Sequence, residues 1–453
     1  MITFKNIGSE NIGASCYYLD FNGNGIIIDS GIDPRKTGIE SLPDFKLLKE
    51  LPTDYVLVSH AHQDHIGALP FLIKSYPHLK IITTPQTRAL AELVLHNAVS
   101  ILKKEITDEK FVFYSHDEVD LLIKSINYLE YEKEQVLSSY YAGLNSDVKI
   151  KFYDAGHILG AAGILLENQN KKIFYTGDIK LSKQQLLPGA TLPSEKVDVL
   201  ILETTYGSTP DEEIPEWESE AKRFAKEAND VLSRSGSILI PVFALGKMQE
   251  ILSMIYNLIK RRKLTEVNLF IGGIGKQISR VYDLNRYTTN RIDKEFEISS
   301  IPTLDFNEIN NPNEFFKSPS IVLASSGMMI KGTSSYSFAI NWLSQKNSAI
   351  FTVGYMEPES FGYLISKSKK NDLIKLDDSL EVKVKCDIKN FRFPSHSTQS
   401  ELLSIVKKLN PEKVILVHGE EESINTIASL ILNQNKKIKI FLANKGKEII
   451  IQD

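Results

Sequence analysis

Ser59-His60-Ala61-His62-Gln63-Asp64-His65 places three imidazoles and a carboxylate within six residues, directly after the apolar run Tyr55-Val56-Leu57-Val58. Such a run reads as a buried strand that stops where the polar residues begin. The cluster therefore lies at the C-terminal end of a strand, on a loop that runs into a helix. His60 and His62 alternate in an extended segment and point to one side; Asp64 and His65 come round on the turn. Imidazole nitrogens and carboxylate oxygens are ligands that zinc accepts, and four this close can serve two ions. The plain alternative is a polar surface loop that happens to contain histidine. The chain has only nine histidines, however, and three of them are here. The stretch reads as a metal site.

The chain around it is 453 residues long, beyond the ~250–300 residues at which single cores stop growing, so two or three domains are expected. Hydrophobic content of 42% and charged content of 24% are those of an ordinary globular protein. No run nears the ~18 apolar residues of a membrane span, and Met1-Ile2-Thr3-Phe4-Lys5 lacks the basic and apolar regions of a signal peptide. Only Cys16 and Cys386 occur, so a reducing, cytoplasmic setting without a disulfide framework is expected. A net charge of −4 leaves no whole-molecule footprint for nucleic acid. A polyanion would have to be held by local features and metal.

Short β-type runs alternate with helical stretches over the first two hundred residues and again from Ser237 to Val353, which argues for parallel or mixed sheets covered on both faces. Thr84-Pro85 is a helix start, with the hydroxyl as N-cap and proline in the first turn. Asp117 to Tyr131 and about Glu218 to Ser233 read as helices, and Glu381 to Phe391 as a strand. The basic run Lys260 to Lys263 ends a helix, where cations suit the dipole better than they suggest an RNA patch.

Several other polar residues sit just past a β-type run. Asp29 follows Ile26-Ile27-Ile28, His157 follows Phe152 to Gly156, Asp178 follows Ile173 to Gly177, and His418 follows Val414 to Val417. Strand ends on one edge of a sheet converge, which is how distant residues assemble a site. With the opening cluster this yields His60, His62, Asp64, His65, His157, Asp178 and His418. Seven ligands exceed one tetrahedral zinc. They suit two ions ~3.5–4 Å apart, bridged by one carboxylate and one hydroxide. Asp178 is assigned to the bridge, His60, His62 and His157 to one ion, and Asp64, His65 and His418 to the other. His78, His96 and His116 read as ordinary surface or packing residues.

The His-x-His-x-Asp-His signature, with Asp29, His157 and Asp178 in their places, resembles the metallo-β-lactamase fold, an α/β architecture in which two mixed sheets lie between helices (αββα). The remaining motifs resemble its β-CASP branch, which includes RNase J and the endonuclease of the cleavage and polyadenylation machinery. They are Glu203 in Leu202-Glu203-Thr204-Thr205-Tyr206-Gly207, His396 in Phe393-Pro394-Ser395-His396-Ser397, and His418. Pro241-Val242-Phe243-Ala244-Leu245-Gly246 and Ala324-Ser325-Ser326-Gly327-Met328 also match, so the resemblance covers essentially the whole chain. It implies an α/β β-CASP domain over about 208–390, inserted between metallo-β-lactamase segments 1–207 and 391–453. Roughly 35 residues follow His418, so no appended RNA-binding module is expected.

The chemistry that the resemblance implies is a zinc-dependent ribonuclease with two Zn2+ per chain, in which a bridging hydroxide attacks a phosphodiester of RNA. His396 would be the general acid, with Glu203 orienting it and keeping it protonated. Asp64 would count with Glu203 and His396 among the catalytic residues, and Asp29 would stand behind the metal ligands and position them. Products would carry a 5′-phosphate and a 3′-hydroxyl. Backbone amides of Ser325, Ser326 and Gly327 could cradle a phosphate, although a plain tight turn reads the same way. Histidine at position 418 accords with the RNA-acting members, while DNA crosslink-repair relatives carry an apolar residue there.

Three departures from the family pattern touch the substrate side. Ser397-Thr398 follows His396 where the pattern often has an acid, Lys247 stands where arginine is common, and Met356 and Tyr363 change a motif that usually reads closer to Gly-Tyr-Gln and Leu-Gly-Arg. The competing readings are a DNA nuclease on the same scaffold and a non-catalytic RNA-processing subunit. Endonuclease or exonuclease action is not legible. RNA is the expected partner, with no membrane, and a homodimer is compatible.

Overall fold

The computed structural model describes residues 1–105, 114–139, 142–143, 145–376 and 381–452. Met1–Lys183, Leu187–Glu213 and Ser395–Asp453 form one compact unit, and Gln184–Leu186 with Ile214–Pro394 form the other. The fold is mixed α/β, with several sheets.

The first unit holds two seven-stranded sheets. One runs in the spatial order Glu448–Gln452, Ile2–Asn6, Tyr17–Phe21, Asn24–Ile28, Tyr55–Leu57, Lys80–Thr83, Asn127–Tyr128. The other runs Lys439–Leu442, Lys413–Val417, Val199–Glu203, Lys171–Tyr175, Ala162–Asn168, Val148–Asp154, Glu134–Leu137. Alternate residues explain the layering. Ile26, Ile28 and Leu57 of the first sheet share one core with Phe152, Ile164, Tyr175 and Ile201 of the second. Ile27 and Val56 point the other way and are equally buried, as expected of strands covered on both faces. Outside the second sheet, helix Gln399–Leu409 packs on strand Val199–Glu203 and helix Glu421–Gln434 on strand Lys413–Val417.

Parallel pairing sets the strand ends that matter. Ile28 lies opposite Leu57, so Asp29 emerges beside Ser59 and His60. Tyr175 lies opposite Ile201 and Glu203 opposite Val417, so Asp178, Glu203 and His418 leave the second sheet at one end. Thr84 caps its helix as expected, its hydroxyl accepting from the Thr87 amide at 3.1 Å. The helix expected to reach Tyr131 ends at Ser125, because Asn127–Tyr128 pairs with the edge of the first sheet instead.

In the second unit a six-stranded, all-parallel sheet runs Leu304–Asp305, Asn268–Ile271, Ser320–Ala324, Ile238–Pro241, Ala349–Thr352, Asp387–Asn390. It packs on a core around Phe315, Trp342 and Phe270. The expected Glu381–Phe391 strand is two strands in different sheets. The break falls where Val384 and Cys386 turn into the core and Lys385 donates its amide to the Leu343 carbonyl. Buried Glu250 accepts from the amides of Gln185 and Leu186 at 2.7 and 2.8 Å, which fixes that short excursion of chain in this unit.

Candidate metal centre

The ligand-type atoms of the seven residues fall into two groups within the first unit: His60, His62, His157 and Asp178, and Asp64, His65 and His418. In the first group, His62 Nδ1 lies 3.2 Å from His60 Nε2 and 3.1 Å from His157 Nε2. Asp178 Oδ2 is 3.5 and 3.7 Å from those same two Nε2 atoms. Its other oxygen, Oδ1, faces the second group, 3.4 Å from His65 Nε2 and 3.3 Å from His418 Nδ1. Asp64 Oδ2 lies 3.3 Å from His418 Nε2. Asp178 thus stands between the groups with one oxygen toward each.

Buried nitrogen and oxygen atoms with nothing to bond are costly. His65 Nε2 and Asp178 Oδ1 are buried without a hydrogen-bond partner, and they face each other. A divalent cation satisfies both at once, so the donor set fits a metal of the kind that imidazole and carboxylate hold.

The far side of three of the imidazoles is pinned. Asp29 is fully buried and accepts four hydrogen bonds: from His65 Nδ1 at 2.8 Å, Ser59 Oγ at 2.8 Å, the Ser59 amide at 2.7 Å and the Tyr175 hydroxyl at 2.9 Å. His157 Nδ1 donates to the Ser395 carbonyl at 2.8 Å, and His60 Nδ1 lies 3.1 Å from Ser59 Oγ. With Nδ1 engaged, Nε2 is left as the ligand atom of all three rings.

The backbone is bent to make this geometry. Asp29 and His418 adopt φ of 60° and 49°, a left-handed conformation that costs non-glycine residues on the order of 1–3 kcal/mol and persists only where surroundings enforce it. Gly31 is required for a different reason: a Cβ there would lie 1.7 Å from the Asp64 carbonyl oxygen.

Charges are arranged to match. Burial pushes His60 well below the usual imidazole range, with neighbouring imidazoles adding to it, and burial and His396 do the same to His157. Burial opposes the charged form of His65 as well, but Asp178, Asp29 and Asp64 together outweigh it and hold that ring well above its ordinary value. Burial would raise Asp64 and Asp178. Instead His65 and His418 bring Asp64 down to about 2, and His418, His65 and His60 hold Asp178 well below the carboxylate range.

Beside this cluster stands a carboxylate–imidazole pair. Glu203 is fully buried; its Oε1 accepts from His396 Nδ1 at 3.2 Å and from the Ile179 amide at 3.2 Å, and its Oε2 from the Thr205 amide at 2.8 Å. The His396 ring centroid is 4.5 Å from that of His157, and its side chain is 15% exposed. An imidazole backed by a carboxylate is therefore held against the cluster with access to solvent.

Ser325, Ser326 and Gly327 lie in the second unit, after strand Ser320–Ala324, where the Ser325 and Ser326 carbonyls accept from Ser335 and Met329. Of the three histidines read as ordinary, His78 bonds the Thr53 carbonyl at 2.8 Å. His96 and His116 touch each other through Nδ1 at 2.8 Å, with Asp120 on His96 Nε2. Sequence reasoning did not single out Ser59 or Tyr175, both bonded to Asp29. The available signal was position, since each sits at the polar end of a strand leading into the site.

A sequence model of the metallo-β-lactamase superfamily domain matches residues 18–205, one of the β-CASP domain matches 248–365, and one of the zinc-dependent metallo-hydrolase RNA specificity domain matches 381–443. The chain is 30% identical to an RNase J-like protein of Methanocaldococcus jannaschii, covering 97% of each. It is 29% identical to cleavage and polyadenylation specificity factor subunit 3 of Dictyostelium discoideum over its whole length, but spans only 57% of that relative. It is 26% identical to Integrator complex subunit 11 of Danio rerio, covering 98% of this chain and 73% of the relative. A crystal structure of an Enterococcus faecalis protein of unknown function superposes with a TM-score of 0.56 at 14% identity over 99% of both chains, which shows the fold alone. No helix among the described residues is long and apolar enough to cross a membrane.

Proposed function

The chain belongs to the β-CASP family of metallo-β-lactamase-fold hydrolases, and from that premise we propose that it is a zinc-dependent ribonuclease of the cytoplasm. The observation that carries the reading is the Glu203–His396 pair set beside a cluster that offers two cation sites. A small-molecule hydrolase has no use for a second proton carrier held in this way.

His60, His62 and His157 would hold one zinc and Asp64, His65 and His418 the other, with Asp178 between them. Bound metal would supply positive charge against the phosphodiester and a water acidic enough to attack at neutral pH. The chain's own residues supply the rest. Glu203 occupies His396 Nδ1 and leaves Nε2 to carry the mobile proton. As the bond from phosphorus to the 3′-oxygen breaks, that proton passes to the leaving oxygen. The products are a 3′-hydroxyl and a 5′-phosphate. Asp29 keeps His65 facing inward throughout. Backbone amides of Ser325, Ser326 and Gly327 would suit a phosphate, and about 208–390 would be the inserted domain.

The test is zinc quantification together with cleavage of one RNA labelled separately at each end, alongside its DNA equivalent. Two zincs and RNA cleavage are expected, and the position of the cuts separates endonuclease from exonuclease action. No cutting of RNA with metal fully bound overturns the reading. Equal or faster cutting of DNA replaces it with the DNA nuclease.

A further inference from the structure

The loop that carries His396 and the loop that carries Asp178 are sewn together by residues that neither bind metal nor carry the mobile proton. Ser397 is fully buried. Its amide donates to the Ile179 carbonyl at 2.7 Å, and its Oγ accepts from the Leu181 amide at 3.0 Å. Lys180 lies between those two contacts, its side chain only 4% exposed, and donates from Nζ to Glu401 Oε2 at 2.9 Å. That same carboxylate oxygen accepts from the Thr398 amide at 2.9 Å, closing the capping box of helix Gln399–Leu409. The flanking contacts run the same way, since the Ser395 carbonyl accepts from His157 Nδ1 and the Ile179 amide donates to Glu203. At Gly156 a Cβ would lie 2.5 Å from the Lys180 carbonyl oxygen, with φ at +67°, so the His157 loop also closes on this segment.

We propose that Ser397, backed by the Lys180–Glu401 ion pair, is a positioning residue: it fixes the reach of His396 relative to Asp178, so that proton donor and metal bridge move as one body. The inference rests on the reading of His396 as proton donor. The physical grounds are a fully buried hydroxyl used as an acceptor and a nearly buried ion pair whose lysine sits two residues from the bridge. Removing one partner of such a pair leaves the other charge unmet in a largely buried place, so the pair resists displacement of the segment that carries it. Displacement of a reacting group by ~1 Å costs on the order of 10²-fold in rate.

The experiment compares two substrates in the zinc-loaded full chain, for Ser397→Ala and Lys180→Met. RNA leaves with a poor 3′-alkoxide that needs the proton. Bis(p-nitrophenyl) phosphate releases p-nitrophenolate, which does not, and leaves p-nitrophenyl phosphate. If the clamp positions the donor, kcat on RNA falls about 10- to 100-fold for both variants, with KM, metal content and turnover of the aryl diester nearly unchanged. In the 15N-histidine spectrum the His396 signal should move while those of His60 and His62 stay. Equal losses on the two substrates, or loss of metal with activity, overturn the inference and leave the ribonuclease reading standing. An unsubstituted chain that turns over the aryl diester but not RNA overturns both.

Discussion

Both compact units bury charge, and they use it oppositely. In the second unit, Asp283 is satisfied by the chain itself: it accepts from the amides of Ile298 and Ser299, each at 2.8 Å, and pairs with Arg291 at 3.4 Å. Glu250 takes the amides of Gln185 and Leu186, and burial pushes its carboxyl up to about 7. Each unit leaves some buried atoms unbonded, Glu250 Oε1 and Arg291 Nε in the second, Asp178 Oδ1 and His65 Nε2 in the first; in the first these atoms face each other within a cluster of imidazoles and carboxylates, and Asp29 behind them is bonded four times. Buried charge in the second unit closes loops onto a fold. In the first it gathers ligand-type atoms at the front and is locked at the back by Asp29, a donor set that fits a cation.

The sharpest way to break this contrast is Asp178→Ala. It should remove metal and lower RNA cleavage by more than the ~10²–10⁴-fold that a general acid supplies, as read by zinc content and initial rates. Retained metal and activity would show that the open atoms are not ligands. His396→Ala should cost ~10²–10⁴-fold in cleavage with metal content unchanged, separating the proton carrier from the cluster beside it.

Glu250→Gln tests the other side. The folded-state carboxyl titrates at about 7 against an ordinary 4.5, so the protonated form is the one the fold prefers. That contribution is fully present below pH 4.5 and is lost as pH rises through 7. The variant should therefore gain stability relative to the parent across that window, by on the order of 3 kcal/mol. Denaturant midpoints at several pH values measure it, and RNA cleavage should not change. A pH-independent difference would mean that Glu250 is as well satisfied as Asp283. The smallest effect expected is for Asp29→Asn, which keeps the volume but loses the ionised acceptor. Zinc affinity should fall ~10–100-fold, read by competition with a chromophoric chelator.

Histidine at a strand end is legible one residue at a time, because hydrophobic period and polarity change at the same place. His60, His157, Asp178 and His418 all carry that mark, and the motifs around Glu203 and His396 carried the family with them. Ser397 carried no such mark. It reads as any serine in a turn, and only its approach to Leu181, 216 positions away in the chain, reveals a clamp. The two strands within Glu381–Phe391 were illegible for the same reason, since burial of Val384 and Cys386 beneath Leu343 is a tertiary event.

By itself the sequence determined the kinds of ligand, their place past β-type runs, and the α/β alternation that sends those ends to one edge. These follow from side-chain chemistry and local periodicity, which travel with the chain. Tertiary structure alone decided that Asp178 turns one oxygen to each ligand group, that Asp29 faces His65, and that Ser397 ties the two loops. Those facts depend on atoms far apart in sequence meeting within a few ångströms, and only packing and strand register bring them there.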